Sequence, residues 1–540
     1  MKDSEADIDV IIIGAGHNGL VCACYLAAAG LKVRIVERRS IVGGAAVTEE
    51  FYPGFRNSVA SYTVSLLHPS IIEDLRLKEH GLRILERPFS NFLPLPDGNY
   101  LRTGETQEET MAQFARHSSS DAEQLTGYFS MLEKAVRFLR PLALETPPNA
   151  GGNLHDLWNA VRTGNRIRKL PPSELRDLHA LFTRSAGEIL DGWFESDAVK
   201  ALFGFDAVVG NFSSPYTPGC AYVLLHHVSG EVNGKSGQWG HAVGGMGAIT
   251  RSMAAAAREA GVGIYLEAPV ARVIVDNGRA AGVLLESGEE IRATCVIANV
   301  NPSLLYLKLM DKSNLEQEFY RRISMYKNGS GTFRMNVALS ELPVFECAPR
   351  GEGNTYLQSG IIIAPSLEYM DQAYLDARSR GWSSAPIIEM LVPSTMDDTL
   401  APEGAHVASL FCQHFNPRLP GGRSWDMIKE EIADLIIDTV DLYAPNFKRS
   451  ILGRMALSPL DLENIFGLTG GDIFHGRMSL DQLYSARPLL GYGAYRGPVP
   501  GLYMCGSGTH PGGGVTGIPG HNAAREVIRD LGKGRLFGGG

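Results

Sequence analysis

Apolar residues occupy four successive positions, Val10–Ile13, and stop at Gly14; Gly16 and Gly19 follow, then an apolar-rich stretch over residues 20–29 that ends at Gly30. All four residues of the run are β-branched, which with the flanking glycines predicts a buried strand, a tight turn and a helix. A second strand is predicted over residues 32–36, where Val33, Ile35 and Val36 are apolar, and it ends on the acid Glu37. Glycines interrupt the whole stretch, so it reads as strand-turn-helix-strand and not as a membrane span. Residues 244–261 predict a glycine turn and an amphipathic helix, residues 270–275 a strand, residues 282–291 its hairpin partner, and residues 295–302 a strand ending in a polar turn. Near the end, residues 502–505 predict a strand, residues 506–514 a glycine-rich loop and residues 518–531 a helix.

Two long inserts separate these segments, residues 65–239 and 302–484. The first carries helical patterns over residues 125–144 and 173–190 with a proline- and glycine-containing connection between them, giving a helical region over about 120–200. Apolar stripes at helical spacing read as core packing. His226 and His227 follow a β-like run.

With 44% hydrophobic and 20% charged residues among 540, the chain has the composition of a soluble globular protein, long enough for about three domains. Its net charge of -9 argues against nucleic acid as a partner. The seven cysteines are scattered, with no CxxC pair, which points to a reducing, cytoplasmic setting and to no metal site. The acidic start does not resemble a targeting peptide.

Gly14, Gly16 and Gly19 form G-x-G-x-x-G between a strand and a helix. The first glycine permits the turn, the second lets a pyrophosphate approach the backbone, and the third lets helix and strand pack closely, with phosphate facing the helix N-terminus. Glu37, 18 positions after Gly19, stands where a carboxylate accepts bonds from ribose hydroxyls. Arg38 and Arg39 read as solvated arginines. At the other end, Gly506, Gly512, Gly513, Gly514 and Gly517 leave bare backbone for a flat ring or a phosphate.

The fingerprint continues past Glu37 to Gly43-Gly44, and here the sequence resembles the glutathione-reductase-like FAD superfamily, which implies FAD over NAD. The run from Val270 to Pro302 looks like that superfamily's adenine-side strand followed by the strand that carries an ATG-type motif, with Ala298-Asn299 in its place. The closing GSGTHPGGGVTG, with GDIFHG at residues 471–476, SLDQL at 479–483 and Ala486-Arg487-Pro488, resembles the phytoene-desaturase-like FAD-dependent oxidoreductases, most of all their pyridine nucleotide-disulfide oxidoreductase domain-containing branch. The resemblance implies an α/β fold, α+β overall: a glutathione-reductase-like Rossmann FAD domain built from discontinuous segments 1–64, 240–301 and 485–540, and a mixed α/β substrate domain from 65–239 and 302–484 with a helical insert. It places the cofactor on Gly14, Gly16, Gly19, Glu37, Gly43, Gly44, Val270, Gly506, Thr509, Gly513, Gly514, Val515 and Thr516. Gly506-Ser507 departs from the Gly-Asp motif of the superfamily.

There is no G-x-S-x-G, nucleophile triad or paired-carboxylate motif, so the chemistry falls to flavin N5. His475 is the candidate for proton transfer, with Gln482 and Arg487 shaping the pocket or bonding the flavin. His510 is a weaker candidate, while His226, His227 and His241 read as structural. The function implied is hydride transfer in desaturation, saturation or isomerisation of C–C bonds in an apolar polyene or lipid-like substrate, the electron acceptor being oxygen, a quinone or transient NAD(P). Peripheral membrane contact and homo-oligomerisation are compatible with this reading. The alternatives are a flavin-dependent amine oxidase, set back by the absence of an aromatic-cage or covalent-flavin cysteine motif, and a non-catalytic flavin-bearing binding or assembly protein.

Overall fold

A computed structural model describes residues 8–149, 152, 154–348 and 353–532. Most of the acidic start and the last residues of the C-terminal segment lie outside them. The first apolar run forms the strand Val10–Ile13 at the centre of a five-stranded parallel sheet, whose order is Gly263–Tyr265, Val33–Val36, Val10–Ile13, Cys295–Ala298, Leu502–Met504. Segments nearly 500 residues apart thus share one sheet. Alternate residues along the strands feed opposite faces: Val10, Ile12, Ile35 and Ile297 pack with three helices, His17–Ala28, Gly247–Glu259 and Ile518–Asp530. Ile11, Ile13, Val36, Val296 and Met504 pack instead on an antiparallel meander of Val270–Asp276, Arg279–Leu285 and Glu290–Arg292. Both faces are covered, which explains why the central strands Val10–Ile13 and Cys295–Ala298 are apolar throughout and do not alternate.

A second sheet of seven strands draws on both inserts, in the order Ile451–Leu457, Thr332–Leu339, His406–Phe415, Trp382–Leu391, Gly360–Ile363, Asn91–Pro94, Tyr100–Arg102. Its neighbours are antiparallel except Gly360–Ile363 on Asn91–Pro94. One face packs on the helix Trp425–Asp441 and the other on a helical layer that includes Ser119–Ala143, Asp197–Val208 and Ala221–Val228.

Three local expectations change. The stretch bearing His226 and His227 is the helix Ala221–Val228 and not a strand-like run: its apolar residues meet the helical layer on nearly all sides, so the sequence shows no clear period. The pattern over 173–190 is two helices, Pro172–Thr183 and Ala186–Trp193, because Ser185 and Glu188 close a reciprocal capping box that starts the second. The connection after residue 144 contains a further helix, Leu154–Arg168, whose apolar side faces solvent. No helix among the described residues is long and apolar enough to cross a membrane.

Candidate functional site

The turn after the first strand is held from three directions. Gly14 adopts φ +97°, a left-handed conformation that favours glycine, and its N–H donates to the Val36 carbonyl at 2.8 Å. Asn299, at the end of the neighbouring strand, donates from Nδ2 to the Gly14 carbonyl at 3.2 Å. A Cβ on Gly19 would stand 2.4 Å from the Gly14 oxygen and 2.8 Å from Asn299 Nδ2, so the close packing expected of the third glycine is packing against Asn299 as much as against the strand. Gly43 N–H donates to the Ala15 carbonyl at 2.9 Å, which ties the Gly43-Gly44 turn to the first loop.

Glu37 is buried, and both its oxygens are engaged: Oε2 accepts from Ala15 N–H at 2.8 Å and Oε1 from Arg39 N–H at 2.9 Å. Each carboxylate oxygen retains a lone pair for a further donor. The helix His17–Ala28 begins at Gly16 with no side chain capping its first N–H groups, the arrangement that suits an anion.

These residues open onto a cavity of about 500 Å³. Of the expected cofactor positions, Gly14, Gly16, Glu37, Gly44, Val270, Gly514 and Val515 line it, as does His475. Gly19, Gly43, Gly506, Thr509 and Gly513 lie behind its wall. Thr509 Oγ1 donates to the Gly506 carbonyl at 2.8 Å and so folds the loop, while the Gly513 carbonyl meets His226 Nε2 at 3.1 Å. Thr516 faces a second cavity, and its Oγ1 accepts from Ile518 N–H at the start of the last helix. Five buried atoms around the first cavity, His17 Nε2, Asn18 Oδ1, Arg39 Nη1, Ser65 Oγ and His475 Nδ1, make no hydrogen bond within the protein. Buried polar atoms are rarely left unpaired, and a mixed set of donors and acceptors along a glycine-walled groove fits a dinucleotide.

His475 has φ +57°, and its carbonyl accepts from Tyr326 Oη at 2.9 Å. Burial lowers its pKa to about 4, with His17 and Arg487 adding to the effect, so the imidazole is neutral. Arg487 does not line the cavity. It is fully buried, and its guanidinium donates to the carbonyls of Phe474, Gly476, Arg477, Gln482 and Ser507, binding the 471–476 loop to the C-terminal loop. Gln482 is likewise structural, exchanging bonds with the Lys327 backbone. Both shape the pocket through its loops.

His226 and His227 are buried, with pKa values lowered by desolvation to about 3 and about 4. His227 Nδ1 lies 2.9 Å from the Val223 and Asp206 carbonyls, and its residue borders the first cavity. His241 pairs with Asp397 at 2.8 Å, away from both cavities, and His510 Nε2 meets the Leu142 carbonyl at 3.0 Å.

One group in the wall was not legible in the sequence. Tyr62, whose ring stacks on Phe411 with centroids 4.9 Å apart, donates to Glu389; Arg87 and Arg334 flank this pair. Arg334 donates to the carbonyls of Ala60 and Leu410 and to Ser409 Oγ. Burial raises the Tyr62 and Glu389 pKa values and lowers that of Arg334 to about 10. The members come from strands and loops up to 327 residues apart, and no short motif joins them.

The second cavity, of about 620 Å³, is lined mainly by apolar side chains, among them Val136, Leu139, Leu178, Phe182 and Leu225 of the helical layer, with polar groups such as Arg140, Glu231 and His510 also in its wall. It shares Leu66 with the first cavity, and His226 and Thr516 stand in its wall. Among the described residues no cluster of His, Cys, Asp or Glu has the makings of a metal site.

Residues 19–332 match the family described as flavin containing amine oxidoreductase. The pyridine nucleotide-disulfide oxidoreductase domain-containing protein 2 of Rattus norvegicus is 43% identical, the alignment covering 98% of this chain and 94% of that protein. A limonene dehydrogenase polypeptide of Castellaniella defragrans is 26% identical over 97% of this chain and 95% of its own. In structure, cyclohexylamine oxidase of Brevibacterium oxydans superposes with a TM-score of 0.58 at 17% identity, covering 98% of this chain and all of that one. That likeness establishes the same mixed α/β fold.

Proposed function

The chain belongs to the flavin-containing amine oxidoreductase family and is an FAD-dependent oxidoreductase, and from that premise we propose that it moves hydride to or from a carbon of an apolar, unsaturated substrate. The observation that carries this reading is the second cavity, a mainly apolar volume that borders the cofactor groove, with Leu66 in the wall of both. Limonene, which gives one relative its name, is an unsaturated hydrocarbon of the same chemical class. The first cavity takes FAD in a glutathione-reductase-like arrangement, with segments 1–64, 240–301 and 485–540 forming the cofactor domain and segments 65–239 and 302–484 the substrate domain.

When bound, FAD supplies a hydride acceptor or donor at N5. The turn at Gly14 and Gly16 and the uncapped helix behind it would hold the pyrophosphate, and Glu37 would accept from the ribose. The backbone at Val270 would take the adenine side, and Gly514 and Val515 the ring side. The apolar wall excludes water and aligns the hydrocarbon by shape. His475, neutral at physiological pH and with an uncommitted Nδ1, accepts or returns the proton at that atom. The acceptor that returns the cofactor to its starting state would be oxygen, a quinone or transient NAD(P).

Amine oxidation is the second reading, favoured by the family and by the cyclohexylamine oxidase fold. Against it, Tyr62 and Phe411 stack on each other and are not splayed to hold an amine between them. The buried group of Arg87, Arg334 and Glu389 behind them repels an ammonium if all three are ionised. Product analysis by mass spectrometry decides: an unsaturated hydrocarbon returned with two hydrogens fewer or more, or as its isomer, supports the proposal, whereas imine or aldehyde formed from an amine panel, with the hydrocarbons untouched, overturns it.

A further inference from the structure

The helix Leu154–Arg168 is amphipathic the wrong way round for a packed protein. Leu154, Leu157, Trp158 and Val161, at positions i, i+3, i+4 and i+7 of one face, are 85%, 61%, 58% and 55% exposed. The opposite face carries Thr163 and Ile167, which line the second cavity. That cavity reaches the surface beside this helix, where Ile167 and Leu175 are both in its wall and exposed. Monomeric proteins rarely expose a contiguous apolar patch rimmed by polar residues without a use for it.

The rim is basic. Residues 154–169 contain Arg162, Arg166, Arg168 and Lys169 against the single acid Asp156, in a chain whose net charge is -9. Arg166 is spent on Glu145 at 3.0 Å, and Arg162, 4.0 Å from the same carboxylate, lies over the Trp158 ring at 5.6 Å, while Arg168 and Lys169 project at the surface. Apolar side chains ringed by cations, on an acidic molecule, are complementary to the headgroup layer of an anionic bilayer. The absence of a spanning helix among the described residues agrees with a protein that lies on such a surface.

We propose that this face docks on an anionic lipid bilayer and sets the mouth of the second cavity against it, so that an apolar substrate passes from lipid into the protein without crossing water. The direction of passage rests on the apolar-substrate reading above; the docking does not. Trp158 and Leu157 enter the headgroup layer, and Arg168 and Lys169 meet lipid phosphates.

Flotation of the FAD-loaded protein with vesicles tests this. Vesicles of phosphatidylcholine with phosphatidylglycerol should carry the protein upward, vesicles of phosphatidylcholine alone should carry little, and added salt should weaken the binding. Leu157→Glu with Trp158→Glu, and separately Arg168→Glu with Lys169→Glu, should each lower the bound fraction about tenfold or more, with bound FAD unchanged as proof of folding. Failure of the wild-type protein to float with anionic vesicles overturns the proposal, as does equal flotation of both variants. Sedimentation velocity covers the remaining case: if the wild type is a dimer that the Leu157→Glu, Trp158→Glu variant splits, and vesicles are ignored, the patch joins two copies and the proposal is wrong. Turnover of amines by a protein that floats as described would remove the substrate reading and leave the docking surface standing.

Discussion

Replacing Glu37 with glutamine keeps the size of the side chain and changes what its two arms can do. In the protein both carboxylate oxygens accept backbone N–H groups, from Ala15 at 2.8 Å and Arg39 at 2.9 Å, in a buried setting. An amide has one oxygen and one NH2, so in either orientation one of those N–H groups faces a donor. Hydrogen bonds to a charged acceptor contribute about 1.5–3 kcal/mol, and leaving a buried donor unpaired costs about 1–3 kcal/mol. The part of this loss already present in the cofactor-free protein lowers its melting temperature, because Ala15 lies in the glycine turn itself. The part felt only with FAD bound is the charged bond to the ribose. At about 1.4 kcal/mol per tenfold, a ribose bond of about 2 kcal/mol predicts FAD binding weaker by roughly 30-fold. Titrating deflavinated wild-type and Glu37→Gln protein with FAD, followed by flavin fluorescence, gives the affinity ratio, and thermal melts of the same FAD-free samples give the structural share. A lowered melting temperature with an FAD affinity within about threefold of wild type would refute the reasoning: Glu37 would then hold the turn and not the nucleotide.

Three further outcomes follow from the same geometry. Gly19→Ala places a methyl 2.4 Å from the Gly14 carbonyl, so the helix must move off the strand; we expect about 1–3 kcal/mol of destabilisation in denaturant unfolding and loss of bound FAD. Arg487→Met leaves the carbonyls of five residues in two loops without their donor, and the protein should be recovered without flavin or not recovered in the soluble fraction; normal FAD content would show that the loops are held by other means. Acid should release the cofactor early. His17, His227, His475 and His510 are buried with pKa values lowered to about 4, whereas in the unfolded chain they titrate near 6.5. Their contribution to stability is therefore complete above the unfolded value and is lost as pH falls from 6.5 toward 4, at up to about 1.4 kcal/mol per pH unit for each histidine. Melting temperatures measured across that range should fall steeply, and a His475→Gln, His227→Gln protein should show a shallower slope.

The nucleotide end was legible because its physics is local. A β-branched run, three glycines and a terminal acid are each explained by neighbours within 30 residues, and the structure places Gly14, Gly16, Glu37 and Gly44 on one cavity. Asn299 was visible only as a departure from a familiar motif. Its part in holding the turn depends on the parallel pairing of Val10–Ile13 with Cys295–Ala298, which no local pattern announces. The group of Tyr62, Arg87, Arg334 and Glu389 was invisible for the same reason: each residue alone is an ordinary polar position on a strand or loop. The helix Leu154–Arg168 escaped because its apolar side is turned outward between proline- and glycine-containing flanks. For Arg487 the sequence leaves pocket shaping and flavin bonding open, because only the folded loops show that its five N–H donors are taken up by backbone carbonyls.

The compound that reduces the flavin identifies the substrate class most directly. Purified FAD-loaded protein, held without oxygen, should lose its yellow absorbance on addition of one or more apolar unsaturated compounds from a panel of carotenoids, retinoids and unsaturated lipids, and should recover it with oxygen or a quinone. Should the reaction run toward saturation, the chemically reduced enzyme should instead be reoxidised by the same compounds. Bleaching by amines alone, with the whole hydrocarbon panel inert toward both oxidised and reduced enzyme, would contradict an apolar, unsaturated substrate.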